Sequence, residues 1–136
     1  MATVFEKLNL KDQQEIVVLN APQSFEHETA RLGGKAMHRS ISSVPQIEFF
    51  LAFVTRKSQV DSLAPQIAKR AKGDAVVWFA YPKGTSKKYK CDFNRDNGWD
   101  ALNALGFETV RAVAIDEDWS ALRLRRSEFV KARAKS

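Results

Sequence analysis

Apolar residues in this chain come in short unbroken runs rather than in strict alternation. Ile16 to Leu19, Ile47 to Val54 (broken only by Glu48) and Ala75 to Tyr81 are the three clearest. A strand that is apolar on both sides has to be covered on both sides, which is the situation of a central strand in a parallel sheet. Ala36 to Ile41, Thr109 to Ile115 and Ala121 to Arg125 form weaker strand candidates with more polar positions.

Helical spacing fills the intervals. Ser24 to Leu32 predicts a short helix stopped by Gly33-Gly34, since glycine enters the left-handed conformation cheaply. Val60, Leu63, Ile67 and Ala71 lie on one helical stripe. Ser58 with Asp61 approximates a capping box ahead of that stripe, and Gly73 is expected to close it. Pro65 inside it predicts a kink or two short helices. Asn94 is a candidate N-cap for a helix over Arg95 to Leu105, with Trp99, Leu102 and Leu105 as its buried face and Gly106 as its stop.

Strand and helix thus alternate, the pattern of right-handed βαβ units. The turn Asp116-Glu117-Asp118 leaves the last two strands no room for a crossover, so they pair antiparallel and close one edge. The predicted fold is α/β: a three-layer, Rossmann-like, mostly parallel sheet ending in an antiparallel C-terminal hairpin. We expect one domain over residues 1–136, with an ordered core at about 12–127 and a basic tail at 128–136.

Composition narrows the function classes. The hydrophobic fraction of 44% and charged fraction of 28% belong to a folded globular chain. Cys91 is the sole cysteine and His27 and His38 are the only histidines, so neither a disulfide nor a metal site is expected. Met1 to Leu10 carries Glu6 and Lys7 and does not read as a signal peptide, and no run approaches a membrane span. A cytoplasmic location is the expectation. The net charge of +6 raises the question of an anionic partner, although mild basicity also serves solubility.

Several segments together resemble a family of small uncharacterised bacterial proteins known as a domain of unknown function. They are Val17 to Pro22, Phe53-Val54-Thr55 with Ser58, Trp78 to Lys83 with Thr85-Ser86-Lys87, Asp92 with Arg95-Asp96, and Val113 to Arg123. The likeness covers roughly residues 14 to 126, and Tyr81-Pro82-Lys83 and Asp118-Trp119-Ser120 are its most specific parts. The family implies no activity. The order of elements also looks like the Rossmann-like core of S-adenosylmethionine-dependent methyltransferases. Their glycine-rich turn after the first strand is missing: Asn20-Ala21-Pro22-Gln23-Ser24 stands there, and Pro22 has no N–H to offer. An acid at the end of the second strand is not evident either. No cofactor is assigned on these grounds, although S-adenosylmethionine or a nucleotide would suit the fold.

In open α/β sheets ligands bind beyond the C-terminal ends of the parallel strands. Asn20 to Ser24, Thr55-Arg56-Lys57 and Tyr81 to Lys88 are expected to converge there. Lys83-Gly84-Thr85-Ser86-Lys87 has the composition of an anion site, without the spacing of a Walker motif. A solvated basic loop is the plainer explanation, but Lys83, Lys87, Lys88 and Lys90 repel one another, and Asp92 and Asp96 are candidates to relieve them. Asp116 to Asp118 is either a base or cation site or simply turn chemistry. Trp119 either stacks on a ligand or packs down. The ligand or anion candidates are Asn20, Tyr81, Lys83, Thr85, Ser86, Lys87, Asp116, Trp119 and Ser120; no catalytic or metal residue is assigned. Cys91 beside Lys88 and Lys90 is a candidate for a depressed pKa, but lacks a neighbouring histidine. Arg123 and Arg125 share one face of a strand. That face would meet phosphates, or another subunit's acids in a homodimer, or would guard a sheet edge against aggregation.

Three functions fit these residues. The first is a noncatalytic module that binds a ligand or a protein. The second is a nucleic-acid or nucleotide binder using Lys83 to Lys90 and the arginine tail, with Tyr81, Tyr89 and Trp119 for stacking. The third is a divergent S-adenosylmethionine-dependent transferase with Lys83, Ser86 and Asp116 as candidates.

Overall fold

The computed structural model describes the chain apart from residues 1–3, 9, 12, 31–35, 42–43, 94–97, 128 and 130–136. Six strands form one sheet: β1 (Glu15–Leu19), β2 (Ala36–His38), β3 (Ile47–Phe53), β4 (Ala71–Pro82), β5 (Phe107–Ala114) and β6 (Trp119–Arg126). Their spatial order is β2-β1-β3-β4-β6-β5. β1, β2, β3 and β4 are mutually parallel, and β6 runs antiparallel to both β4 and β5. The sheet is therefore parallel except for β6, and the three-layer Rossmann-like expectation holds. The hairpin sits differently from the expectation in one respect. Its second strand, β6, is inserted between β4 and β5, so the edge strand is β5, and Arg123 and Arg125 guard no edge.

The long apolar runs explain why the sheet is buried on both faces. Phe50, Ala52, Val77 and Phe79 pack on one face, against Val60, Ala64 and Ile67 of α3 (Lys57–Arg70) and Leu102 of α4 (Asp100–Ala104). Phe49, Leu51, Phe53, Trp78 and Ala80 pack on the other. There they meet Phe5 and Leu8 around α1 (Val4–Lys7), and Phe25 in the 3-10 turn (Gln23–Phe25) that leads into α2 (Glu26–Thr29). Each large side chain buried this way contributes about 1.5–3 kcal/mol.

Helix ends depart from the sequence expectation in instructive ways. α3 runs unbroken through Pro65, because Val60, Ala64 and Ile67 on either side of the proline anchor one continuous stripe. Its start is not capped by the Ser58/Asp61 pair. Gln59 Oε1 instead accepts from the backbone N–H groups of Thr55 (2.8 Å) and Arg56 (3.1 Å), while Asp61 pairs with Lys57 one turn away. Gly73 does not close the helix. The chain passes directly into β4, and Gly73 (φ 57°) takes up the extra residues of a bulge opposite β3 between Ile47 and Phe49. The carbonyls at the end of α3 are met by the Arg126 guanidinium, which donates to Ala68 O and Ala71 O. Near α4, Trp99 and Leu102 are buried as expected, but Leu105 is 41% exposed beyond the helix end. Gly106 (φ 95°) supplies the expected stop. Asn94 lies outside the described residues, as do Gly33 and Gly34.

Trp78 ties the chain's beginning to the sheet: its indole N–H donates to Leu8 O at 2.8 Å, in a fully buried position. Trp78→Phe removes that donor, leaves the carbonyl without it and vacates part of a ring. The expected loss is about 2 kcal/mol, read as a fall of several degrees in the thermal unfolding midpoint. An unchanged midpoint would show that this bond contributes nothing.

Candidate functional site

Because the sheet is parallel except for β6, one edge collects the C-terminal ends of β1, β2, β3, β4 and β5 and the N-terminal end of β6. Along the sheet, chain order reverses between β1 and β3, so their outgoing connections part to opposite sides and leave a crevice. A cleft of about 370 Å³ opens there, within the range of small-molecule sites. Its apolar wall is Leu19, Ile41 and Leu63; its polar groups are Asn20, Arg39, Ser40, Ser58, Gln59 and Ser62.

Local sequence explains the shape. Asn20 has φ 58°, the left-handed conformation that glycine otherwise supplies and that asparagine tolerates better than most residues. The chain can therefore turn sharply off β1 without glycine. Pro22 then starts the 3-10 turn, accepting from Phe25 N at 2.9 Å. Across the cleft Arg39 is clamped by Glu26 through two bonds of 2.8 and 2.7 Å. The hydrogen bond from Arg39 holds the Glu26 carboxyl below the usual carboxylate range, and the same partner raises the guanidinium. Among the described residues no carboxylate lines the cleft itself.

The second feature of this edge is a strap, residues 83–93, laid across it. Lys83 N donates to Asp118 O (2.8 Å) and Ser86 Oγ to Asp118 Oδ1 (2.9 Å), which fastens the strap to the β5–β6 turn. At its far end Asp92 N donates to Thr55 O (3.2 Å). Asp92 Oδ1 in turn accepts from Lys57 N (2.7 Å), satisfying an orphan donor at the start of α3 with a favourable charge. Asp92 is thus committed to a helix end rather than to the lysines; Asp96 lies outside the described residues.

The sequence candidates separate into two groups. Asn20 lines the cleft; Lys83, Thr85, Ser86 and Lys87 belong to the strap. Tyr81 is largely buried against Phe93 and Trp99. Trp119 is 4% exposed, with Phe53 (5.0 Å) on one side and Tyr89 (4.8 Å) on another, so it packs down. Asp116 Oδ1 accepts from Asp118 N (2.8 Å) and Trp119 N (2.9 Å), the turn chemistry that its type favours. Ser120 Oγ points to Val113 O at the outer limit of 3.5 Å. The arginines of β6 leave this edge altogether: Arg125 is paired bidentately with Asp74, Arg123 lies 3.9 Å from the same carboxylate, and Arg126 meets the end of α3. Arg39, Ser40, Ile41 and Ser62 were not singled out from the sequence, because no motif marks them; only the strand order brings them to Asn20.

Cys91 reverses its expectation. Burial pushes the thiol up, and Asp92 adds to the rise against a lowering bond from the Phe93 backbone. The lysines do not activate it. Its alkylation by iodoacetamide at neutral pH is expected to be slower in the native protein than in the urea-unfolded chain. Faster labelling of the native state would contradict this.

No family model and no curated protein sequence matches the chain. Solved structures do. The chain is similar to a SAM-dependent methyltransferase from Aquifex aeolicus (TM-score 0.61, 11% identity, covering 90% of this chain and 87% of that one). It is also similar to magnesium protoporphyrin IX methyltransferase from Synechocystis PCC 6803, solved with bound SAH (0.56, 9%, 91% and 78%). A third is the ribosomal protein L11 methylase from Lactobacillus delbrueckii subsp. bulgaricus (0.55, 13%, 90% and 76%). At these identities the likeness is one of fold: the chain has the Rossmann-like core seen in SAM-dependent methyltransferases.

Proposed function

We propose that the chain is a divergent transferase-type domain that takes an adenosylated ligand, S-adenosylmethionine first among them, in the cleft between β1 and β3. The observation that carries this is the position of the cleft: it opens where chain order reverses in a methyltransferase-like sheet. The fit is to the nucleoside part. Leu19, Ile41 and Leu63 offer an apolar wall for a base. Asn20, Ser40, Ser58 and Ser62 offer uncharged hydrogen-bonding groups for a ribose, in the place of an acid. Asn20 gives the turn off β1 the conformation that a glycine-rich turn would.

When bound, S-adenosylmethionine supplies an electrophilic methyl group. The chain's own contribution would be to hold and orient the nucleoside and to exclude water from the apolar wall. Among the described residues that line the cleft there is no carboxylate or imidazole to accept a proton. An acceptor would therefore have to bring an available lone pair, as a neutral amine does, rather than rely on a base in the cleft. That same observation favours a second reading, a domain that binds its ligand without transferring anything.

Thermal unfolding with S-adenosylmethionine, its demethylated product and adenosine tests the proposal. Ligand at 100 times its dissociation constant adds about 2.7 kcal/mol, a rise of several degrees in a domain of this size. Ser62→Phe, which fills the cleft from an exposed helix position, is expected to abolish the rise while leaving the ligand-free midpoint close to that of the wild type. No rise with any of the three compounds would refute the proposal. A rise without methyl transfer to any acceptor tried would favour the second reading.

A further inference from the structure

The strap carries charge that the fold does not answer. Lys83, Lys87, Lys88 and Lys90 lie within eight residues. Among the described residues none of the four is ion-paired, whereas Arg39, Lys57 and Arg125 each have a carboxylate partner. Of the acids nearby, Asp92 accepts from Lys57 N, Asp118 from Ser86 and Asp116 from its own turn, and Glu117 and Asp118 stand beside Lys87 and Lys88 only. Crowding four ammonium groups costs stability unless they serve an anion.

Two hollows adjoin along this strap. One, of about 350 Å³, has Lys83 and Lys90 on its rim; the other, of about 450 Å³, has Arg56, Lys88 and Lys90. They share Tyr89, Lys90 and Cys91, so they adjoin as one trough along the strap, lined by these cations and, in the second hollow, by Asp92. The half-buried Tyr89 lines both hollows, and its ring is held at a tilt of 51° against Trp119, centroids 4.8 Å apart. A third hollow beside it is lined by Lys87 and Lys88 together with Glu117 and Asp118, so its cations face carboxylates. From this trough we infer a binding surface for single-stranded nucleic acid, with the lysines and Arg56 on phosphates and Tyr89 as the platform for a base.

Three features select this partner. Among the described residues no bond fixes the lysine side chains toward one point, as a compact phosphate site would need; point charges spread along a strap suit a polyanion. A ring backed by a second aromatic gives a base something firm to stack on. The strap contains no helix or strand hairpin that would enter the groove of a duplex. The arginines of β6 take no part, since they lie toward the opposite edge of the sheet and are committed to Asp74 and to α3. The inference does not depend on what occupies the cleft between β1 and β3.

Fluorescence anisotropy of a labelled oligouridylate of about 12 nucleotides, titrated at rising KCl, tests it. Affinity is expected to fall with a slope of about −2 to −3 in log–log form, for three to four phosphates neutralised. Lys88→Glu/Lys90→Glu, exposed positions on the strap that line the trough, is expected to weaken binding at least roughly tenfold. Lys7→Glu/Lys69→Glu makes the same change in net charge on α1 and at the far end of α3, and is expected to leave binding within about twofold. No binding at about 50 mM salt, equal losses in the two variants, or equal or tighter binding of a duplex would each overturn the inference.

Discussion

Everything in this molecule follows from β3 and β4 being apolar on both faces. Phe49, Phe50, Leu51, Ala52 and Phe53 are all buried, as are Val77, Trp78, Phe79 and Ala80 beside them. A strand pair like this cannot leave either face to water, so helical segments must pass on both sides. Segments on both sides require crossover connections, and crossovers keep the strands parallel. Parallel strands then deliver their outgoing loops to one edge. The cleft and the strap owe their shared location to this chain of constraints rather than to any local motif.

β6 is the one strand that breaks the direction, and it does so with consequences for both edges. Its N-terminal end brings Trp119 and the Asp116–Asp118 turn to the working edge, where Asp118 fastens the strap. Its C-terminal end carries Arg126 to the end of α3, whose last carbonyls it satisfies. The same strand thus ties down a loop at one edge and a helix at the other. Charges that look in the sequence like one basic surface are split by this geometry into a free set on the strap and a structural set on β6.

The fold was legible because burial on both faces leaves a continuous apolar run, and the shortness of the runs and their β-branched and aromatic residues distinguish them from buried helix. The strand positions, the βαβ order and the Asp116 turn all followed from such local signals. What was not legible depended on contacts between segments far apart in the chain. Gln59 rather than Ser58 organises the start of α3, and Asp92, 35 residues from Lys57, completes it. The insertion of β6 inside the sheet has no local signature either. In the cleft, Asn20 could be found because it stands where a glycine turn would. Ser40 and Ser62 could not, since serines on a loop and on an exposed helix turn carry no pattern until strand order places them opposite Asn20.

If the proposed function holds, the crevice between β1 and β3, and not some other part of this edge, receives an adenosylated ligand. Backbone amide chemical shifts recorded while S-adenosylhomocysteine is added test it residue by residue. Saturable shifts are expected, concentrated at Leu19 to Ala21, Arg39 to Ile41 and Ser58 to Leu63, with the far edge near Gly106 and Ser127 unaffected. Shifts confined to the strap, or none at any concentration, would contradict it.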